Sequence, residues 1–313
     1  MNPSPIDIAV IPVAGRGTGL LPLTKSQPKE MLPVGRKPVV QYVVEEMHHC
    51  GLRRMLFVTG PGKAAIENHF DIDRELIDFL RTSGREELLQ ELAFEREAVE
   101  YLYTRQRRQL GLGHAVLCAR AVVGDKPFVV ALGDSILGLQ RPSGVVARMI
   151  EAFDQTGADA VLALEEVPAA DVVHYGIAQP RSENDRWCEL DDVVEKPAVD
   201  QAPSRLSLAA RYVFSPRVLD FLENTPPGID GQIQLTDAIR ALIADGGRVL
   251  GIRLEAGERR YDIGDYPSFY RAVLASALGD AQIGASLRKY VRELLAGESD
   301  RATHRQTHTP DGS

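Results

Sequence analysis

The chain has 313 residues, 44% of them hydrophobic and 26% charged, which predicts a well-packed globule. Thirty-six basic against 44 acidic side chains leave a net charge of −8, and this excludes a broad nucleic-acid footprint, because phosphate backbones reward clustered Lys and Arg. Cys50, Cys118 and Cys188 are scattered, no apolar run reaches the ~18 residues of a membrane span, and the opening MNPSPIDIAV lacks a positively charged front. Reduced thiols, no membrane contact and a cytoplasmic location are expected.

In chain order, DIAVIPV reads as a short buried strand and is followed by a glycine-rich turn, AGRGTGLLPLTKSQPKEMLP. KPVVQYVVEEMHHCG then sets Val40, Val43, Val44 and Met47 on one helical face, closed by Gly51 at C′. RMLFVTG, VEYLYTR and PFVVALGD are further strands, with a charged helical excursion over residues 71–100. SGVVARMIEAF repeats the helical pattern, with Ser143 as its cap. The alternation predicts βαβ units and an α/β fold: a mixed, mostly parallel, Rossmann-like sheet flanked by helices. DAVLALEEV, HYGIAQP, DDVVEKP and LSLAARYVF predict a smaller β-rich part, followed by a capped helix TDAIRALIADGG, a strand RVLGIRL and terminal helices from Pro267. Residues 1–296 are expected to form one domain with halves at about 8–140 and 155–265, and residues 297–313 a disordered tail.

In open α/β sheets ligands sit beyond the carboxyl ends of the strands, and the first βα turn often meets phosphate. Gly15 and Gly17 let backbone N–H groups of the Ala14–Thr18 turn approach closely, and Lys25 and Lys29 can neutralise charge. The turn is not a Walker A loop, since GK[ST] is missing, and Pro22 and Pro28 stop a helix from starting directly after it, as a dinucleotide fingerprint would require. On these residues alone, a tight turn with solvated lysines stays open beside a phosphate site. Asp134 in LGDS and Asp262 in YDIGD likewise read singly as turn formers, although two carboxylates plus substrate phosphates suit magnesium.

The run VIPVAGRGTGLLPLTKSQPKEMLPV resembles the signature G-x-G-T-R-x-x-P-x-T-K-x-x-P-K-E-M-L-P of the nucleotide-sugar pyrophosphorylases, and among them the bacterial UTP–glucose-1-phosphate uridylyltransferases. The likeness continues in family order through GLGHAVLCA, VVEKP, QIQLTDAI and YDIGD. It implies that UTP and glucose 1-phosphate give UDP-glucose and pyrophosphate with Mg²⁺ as cofactor, in a homo-oligomer. It implies Mg²⁺ on Asp134 and Asp262, Lys29 on the α-phosphate, and the loop from Ala14 through Gly15 and Gly17 to Thr18 on the β- and γ-phosphates, with Lys25 in support. It further implies a pyrimidine read by Gln106 and Gly111, a sugar phosphate met by Lys196, and a hexose held by Glu195 beside Gly176. A sugar phosphate is already an anionic nucleophile, so no general base is needed, and His114 and His174 read as structural.

The chain departs from that pattern at Gly19, where the family carries an arginine that meets the leaving pyrophosphate. Losing one well-aimed donor typically costs about 10²–10³ in rate. Arg16, three positions earlier, is the candidate to reach the same oxygens. Gln232 for glutamate, Arg205 for asparagine and Ala210 for glycine are further departures on the sugar side. The leading expectation is an active uridylyltransferase; the other is a UDP-sugar-binding regulatory homologue with weak or no turnover, whose main support is Gly19.

Overall fold

A computed structural model of the chain describes residues 6–306, apart from 97, 185, 229 and 230. The first strand, β1 (Ile8–Pro12), is apolar throughout and buried at all but its last residue, as a strand covered on both faces must be. A short hairpin, β2 (Pro33–Val34) with β3 (Lys37–Pro38), follows the glycine-rich turn and leads into α1 (Val39–His49), whose predicted apolar face is buried. β4 (Arg54–Thr59), β5 (Glu100–Arg105) and β6 (Phe128–Ala131) join β1 in a parallel block ordered β5-β4-β1-β6. Between β4 and β5 lie α2 (Ala64–Phe70), α3 (Arg74–Thr82) and two 3₁₀ turns, the helical excursion that the charge pattern predicts. α4 (Leu112–Leu117) and α5 (Arg120–Val123) lead into β6.

The chain continues through β7 (Ser135–Leu137), α6 (Val145–Thr156), β8 (Ala160–Glu166), β9 (Gly176–Glu183) and β10 (Cys188–Glu195). β11 (Leu206–Phe214), α7 (Val218–Asn224), α8 (Leu235–Ala244), β12 (Val249–Arg253), β13 (Arg260–Asp262), α9 (Tyr266–Gly279) and α10 (Gly284–Gln306) complete it. The main sheet runs on from β6 as β11-β8-β12-β10-β9. β11 is buried along its whole length and antiparallel to both neighbours, so one reversed strand joins two parallel blocks and the sheet is mixed. The β9–β10 ribbon is irregular between Glu189 and Asp192. The bend lets one end extend the sheet beside β12 while the other reaches β11, where Ile177 pairs with Ser207. One core packs α4, α7 and α8 on the sheet, through residues such as Val116, Leu222 and Ile239; the opposite face is covered by α1 and α6 through Val43, Met47 and Met149.

Three local expectations are refined. α6 has Gly144 as its N-cap, yet Ser143 Oγ does serve the helix start, accepting from Val145 N at 3.1 Å, while it donates to Glu258 at 2.8 Å and Glu258 also accepts from Gly144 N at 3.0 Å. A full negative charge suits a helix N-terminus better than a hydroxyl does, so Ser143 acts as an intermediary. α8 has Gln234 as its N-cap, without a side-chain cap bond, so Thr236 falls inside the helix and its hydroxyl bonds to Glu195. α10 runs through Gln306, so the segment expected to be a tail from 297 is helical over its first part. Low apolar content forbids burial but not the extension of a helix already nucleated. The rest of that segment, 307–313, lies outside the described residues. No helix among the described residues is long and apolar enough to cross a membrane.

Candidate active site

The turns that follow β1 and β6 meet at the ends of the parallel block, where Gly133 N donates to the Pro12 carbonyl at 3.4 Å. They enclose a cavity of about 600 Å³ walled by the Ala14–Thr18 loop, Lys29, Gln106, Gly111 and Asp134. Gly17 has a φ of 67°, and a Cβ on it would stand 3.0 Å from Thr24 Cγ2, so the loop turns there only with glycine. Thr24 Oγ1 holds the turn by donating to the Gly17 carbonyl at 2.7 Å. Lys29 stands in a 3₁₀ turn, and its ammonium donates to Asp134 Oδ2. The next residue, Glu30, is buried against Lys63 at 2.7 Å, which anchors that turn to the start of α2.

Pairing of β7 with β13 sets Asp262 opposite Ser135, and Ile263 N donates to the Asp134 carbonyl at 2.8 Å. Two aspartates far apart in the chain thus become neighbours. Burial opposes the charge on Lys29, but Asp134 and Glu30 hold its pKa above the ordinary lysine value. Burial also works against the Asp134 carboxylate, and Lys29 outweighs it, keeping that pKa below the usual range. On Asp262, burial and the Asp134 charge prevail over Arg260 and Lys29 and push the pKa up to about 6. Two crowded carboxylates offer the oxygen donors that a hard divalent cation takes, with its other positions left open. No group of three or more candidate ligands occurs among the described residues.

Gln106 is 4% exposed, and its Nε2 lies 3.0 Å from both the Gly111 carbonyl and His114 Nδ1. A carbonyl can only accept, so the amide nitrogen faces Gly111 and the amide oxygen is left for a ligand donor. Burial lowers the His114 pKa, which favours the neutral ring that can accept this bond. His114 therefore has the structural role expected of it.

A second cavity, of about 170 Å³, shares Leu112 and Leu132 with the first and is lined by Gly176, Glu195, Ala210, Thr236 and Asp262. Gly176 and Glu195 are partners across the β9–β10 ribbon, and Thr236 Oγ1 donates to Glu195 Oε2 at 2.9 Å. Arg260 stacks over Tyr175 at 4.1 Å and is held by Glu165 at 3.1 Å. Ala210 has a φ of 61° where β11 is irregular between Leu208 and Tyr212, a conformation that accounts for a glycine being the simpler residue there.

Not every predicted residue is gathered in. Lys25 is exposed and outside both cavities. Lys196 lines neither cavity, its side chain 59% exposed and 3.9 Å from Glu195. Arg205 pairs with Glu166 at the surface, clear of the second cavity. At Gly19 a Cβ would collide with the carbonyl oxygen of Gly264, so the glycine-rich loop rests directly on the turn that follows Asp262.

Lys63, Gln109, Thr236 and the fully buried Arg211 are additions that the sequence reading missed. Arg211 binds Glu46 at 2.6 Å and donates to the Ser135 carbonyl at 2.9 Å, which pins the residue after Asp134. Its signal was a lone charge inside the apolar strand LSLAARYVF; Thr236 was disguised as a helix cap. A separate cavity of about 360 Å³ lies beside Trp187, but its Arg148 and Arg186 are committed to Glu258 and Glu151, each at 2.6 Å.

Residues 8–277 match the nucleotidyl transferase family. The chain is 40% identical over 286 residues to UTP–glucose-1-phosphate uridylyltransferase 2 of Staphylococcus saprophyticus, a match covering 91% of this chain and 97% of that one. The UTP-bound UGPase from Acinetobacter baumannii is similar in structure with a TM-score of 0.83 at 38% identity, over 92% of this chain and 99% of that one. A UDP-glucose pyrophosphorylase complexed with UDP-glucose gives 0.77 at 33% identity, over 86% and 98%. The chain belongs to the nucleotidyl transferase family and, within it, to the UTP–glucose-1-phosphate uridylyltransferases.

Proposed function

We propose that the protein joins UTP to glucose 1-phosphate, forming UDP-glucose and releasing pyrophosphate. The observation that carries this reading is the junction of the two cavities: Asp134 lines the nucleotide side, Asp262 the sugar side, and the Lys29 ammonium sits beside both. In this reading the Gln106 oxygen accepts from the uracil imide N–H and the Gly111 N–H donates to a uracil carbonyl. Backbone N–H groups of Gly15 to Thr18 cradle the β- and γ-phosphates. Thr236 orients Glu195 to accept from hexose hydroxyls, and Lys196 approaches the sugar phosphate from outside the cavity.

Asp134 and Asp262 would hold Mg²⁺, which when bound neutralises phosphate charge. An oxygen of the sugar phosphate attacks the α-phosphorus, a new P–O bond forms, and the bond to the β-phosphate oxygen breaks with its electron pair. Lys29 stabilises the charge that gathers on the α-phosphate. No side chain has to remove a proton, and His114 is already engaged by Gln106. Rate enhancement then rests on positioning and electrostatics.

Further parts of the proposal concern the whole molecule. The halves at about 8–140 and 155–265 act as one domain, supported by the unbroken sheet that crosses both. The three free cysteines support a cytoplasmic setting. Exposed Tyr270, Leu274, Tyr290 and Leu294 on α9 and α10 support a homo-oligomer.

The test is pyrophosphate release by the full chain with Mg²⁺, glucose 1-phosphate and each of UTP, dTTP, ATP and GTP. UTP is expected to lead, with dTTP next, since one methyl group is worth only about 1–3 kcal/mol of discrimination. No release with any nucleotide, while UDP-glucose still raises the melting temperature, would leave a binding protein in place of an enzyme.

A further inference from the structure

Two side chains of the nucleotide cavity are cations, and they differ in state. Lys29 is committed to Asp134, whereas the Arg16 guanidinium has no carboxylate partner among the described residues. Arg16 is nevertheless held. Its Nε donates to Gln109 Oε1 at 2.5 Å, and Gln109 Nε2 donates in turn to the Ala14 carbonyl at 2.7 Å. These bonds fix the orientation of the Gln109 amide, because a guanidinium only donates and a carbonyl only accepts. The bridge ties the base-side turn between Gln106 and Gly111 to the phosphate loop.

A guanidinium anchored through Nε keeps its two terminal nitrogens as a parallel fork, the geometry that matches phosphate oxygens. Arg16 and Gln109 line the same wall as the loop amides of Gly15, Gly17 and Thr18. Among the described residues three alternatives are excluded: position 19 is closed by the Gly264 carbonyl, Lys63 is paired with Glu30, and Lys25 stands outside the cavity.

We propose that Gln109 is a positioning residue that preorganises Arg16 as the cationic fork for the terminal phosphates of the nucleotide and for the departing pyrophosphate. This deepens, and rests on, the reading of the cavity as a UTP site. As the bond between α-phosphorus and bridging oxygen breaks, its electron pair stays on pyrophosphate, so the group facing Arg16 gains charge and the contact strengthens during the reaction. Without Gln109 an exposed arginine side chain has to be ordered by the ligand itself, which weakens binding.

The test measures binding of inorganic pyrophosphate, and separately of UDP-glucose, to the full chain by titration calorimetry with Mg²⁺ present. Arg16→Ala is expected to weaken pyrophosphate about 10- to 100-fold, the effect of a lost hydrogen bond to a charged group. Gln109→Ala is expected to weaken it roughly 3- to 10-fold when Arg16 is present and to add nothing once Arg16 is alanine. UDP-glucose, which lacks the leaving phosphates, is expected to change by less than about twofold, and melting temperatures report that each variant folds. Unchanged pyrophosphate affinity in Arg16→Ala overturns the proposal. So does a Gln109→Ala effect of equal size whatever stands at 16. Pyrophosphate binding that depends on Arg16 in a protein that turns over no nucleotide would sink the uridylyltransferase reading alone. Ordinary turnover with pyrophosphate affinity indifferent to Arg16 would sink this one alone.

Discussion

The nucleotide cavity and the sugar-side cavity share a wall but are built by different means. The first gathers the ends of parallel strands around charges that are mostly paired before any substrate arrives, Lys29 with Asp134 and Glu30 with Lys63. The second is shaped by a bent ribbon, by backbone at positive φ (Lys196 at 44°, Ala210 at 61°), and by a neutral donor, Thr236, on Glu195. A polyanion demands that counter-charges be fixed and desolvated in advance. A hexose asks for close backbone and directional hydroxyl contacts instead. The two halves therefore respond differently to substitution.

The largest effect is expected from Lys29→Met, which removes the ammonium between two carboxylates. Pyrophosphate release should fall about 10²–10³-fold at saturating substrates, and a loss below tenfold would break the contrast. On the other side Thr236→Val leaves Glu195 without its donor. The KM for glucose 1-phosphate should rise roughly tenfold while that for UTP stays within about twofold, since a hydrogen bond to a charged group is worth about 1.5–3 kcal/mol. Equal shifts in both constants would mean that the cavities are not functionally separate.

The third prediction follows protons. Asp262 has a folded pKa of about 6 against an ordinary value of 3.8, so between these values the folded chain holds a proton that the unfolded chain has released. Its contribution to stability is present below pH 3.8 and is lost as pH rises through 6. In chelator, Asp262→Asn should therefore melt above the parent at pH 8, and the difference should vanish toward pH 4. A gap that widened as pH fell would reverse the sign and overturn this reading. The smallest effect is expected from Ala210→Gly. Relief of a left-handed alanine, worth about 1–2 kcal/mol, is offset by about 0.4–1 kcal/mol of added freedom in the unfolded chain. A small rise in melting temperature would fit; a clear fall would show that the Ala210 methyl is a packing group.

Much of this architecture is legible in the sequence because periodicity reports burial. β11 spans Leu206–Phe214, the full run LSLAARYVF, since a strand between two others is apolar on both faces. The Ala14–Thr18 loop, Gln106, Gly111 and Asp134 come together because each follows or ends a strand of the same parallel block, which a sequence pattern can place. Partners are harder to read. That Glu258 meets Ser143 and Gly144 before α6, that Gln109 reaches Ala14 and Arg16, and that Arg211 meets Glu46 depend on which turns face each other, and no local spacing encodes this. Lys25 and Lys196 show the converse: a motif fixes the residue type but not whether its long side chain points into the cavity.

The contact of Gly19 with the Gly264 carbonyl has a consequence on an evolutionary scale. A single codon change can turn glycine into arginine, yet at this position the new side chain would have to displace a neighbouring turn as well. Because the obstructing atom is backbone, no substitution at 264 removes it: a side chain at 19 and the path of the chain at 264 have to change together, and any arginine placed at 19 shifts the turn beside Asp262.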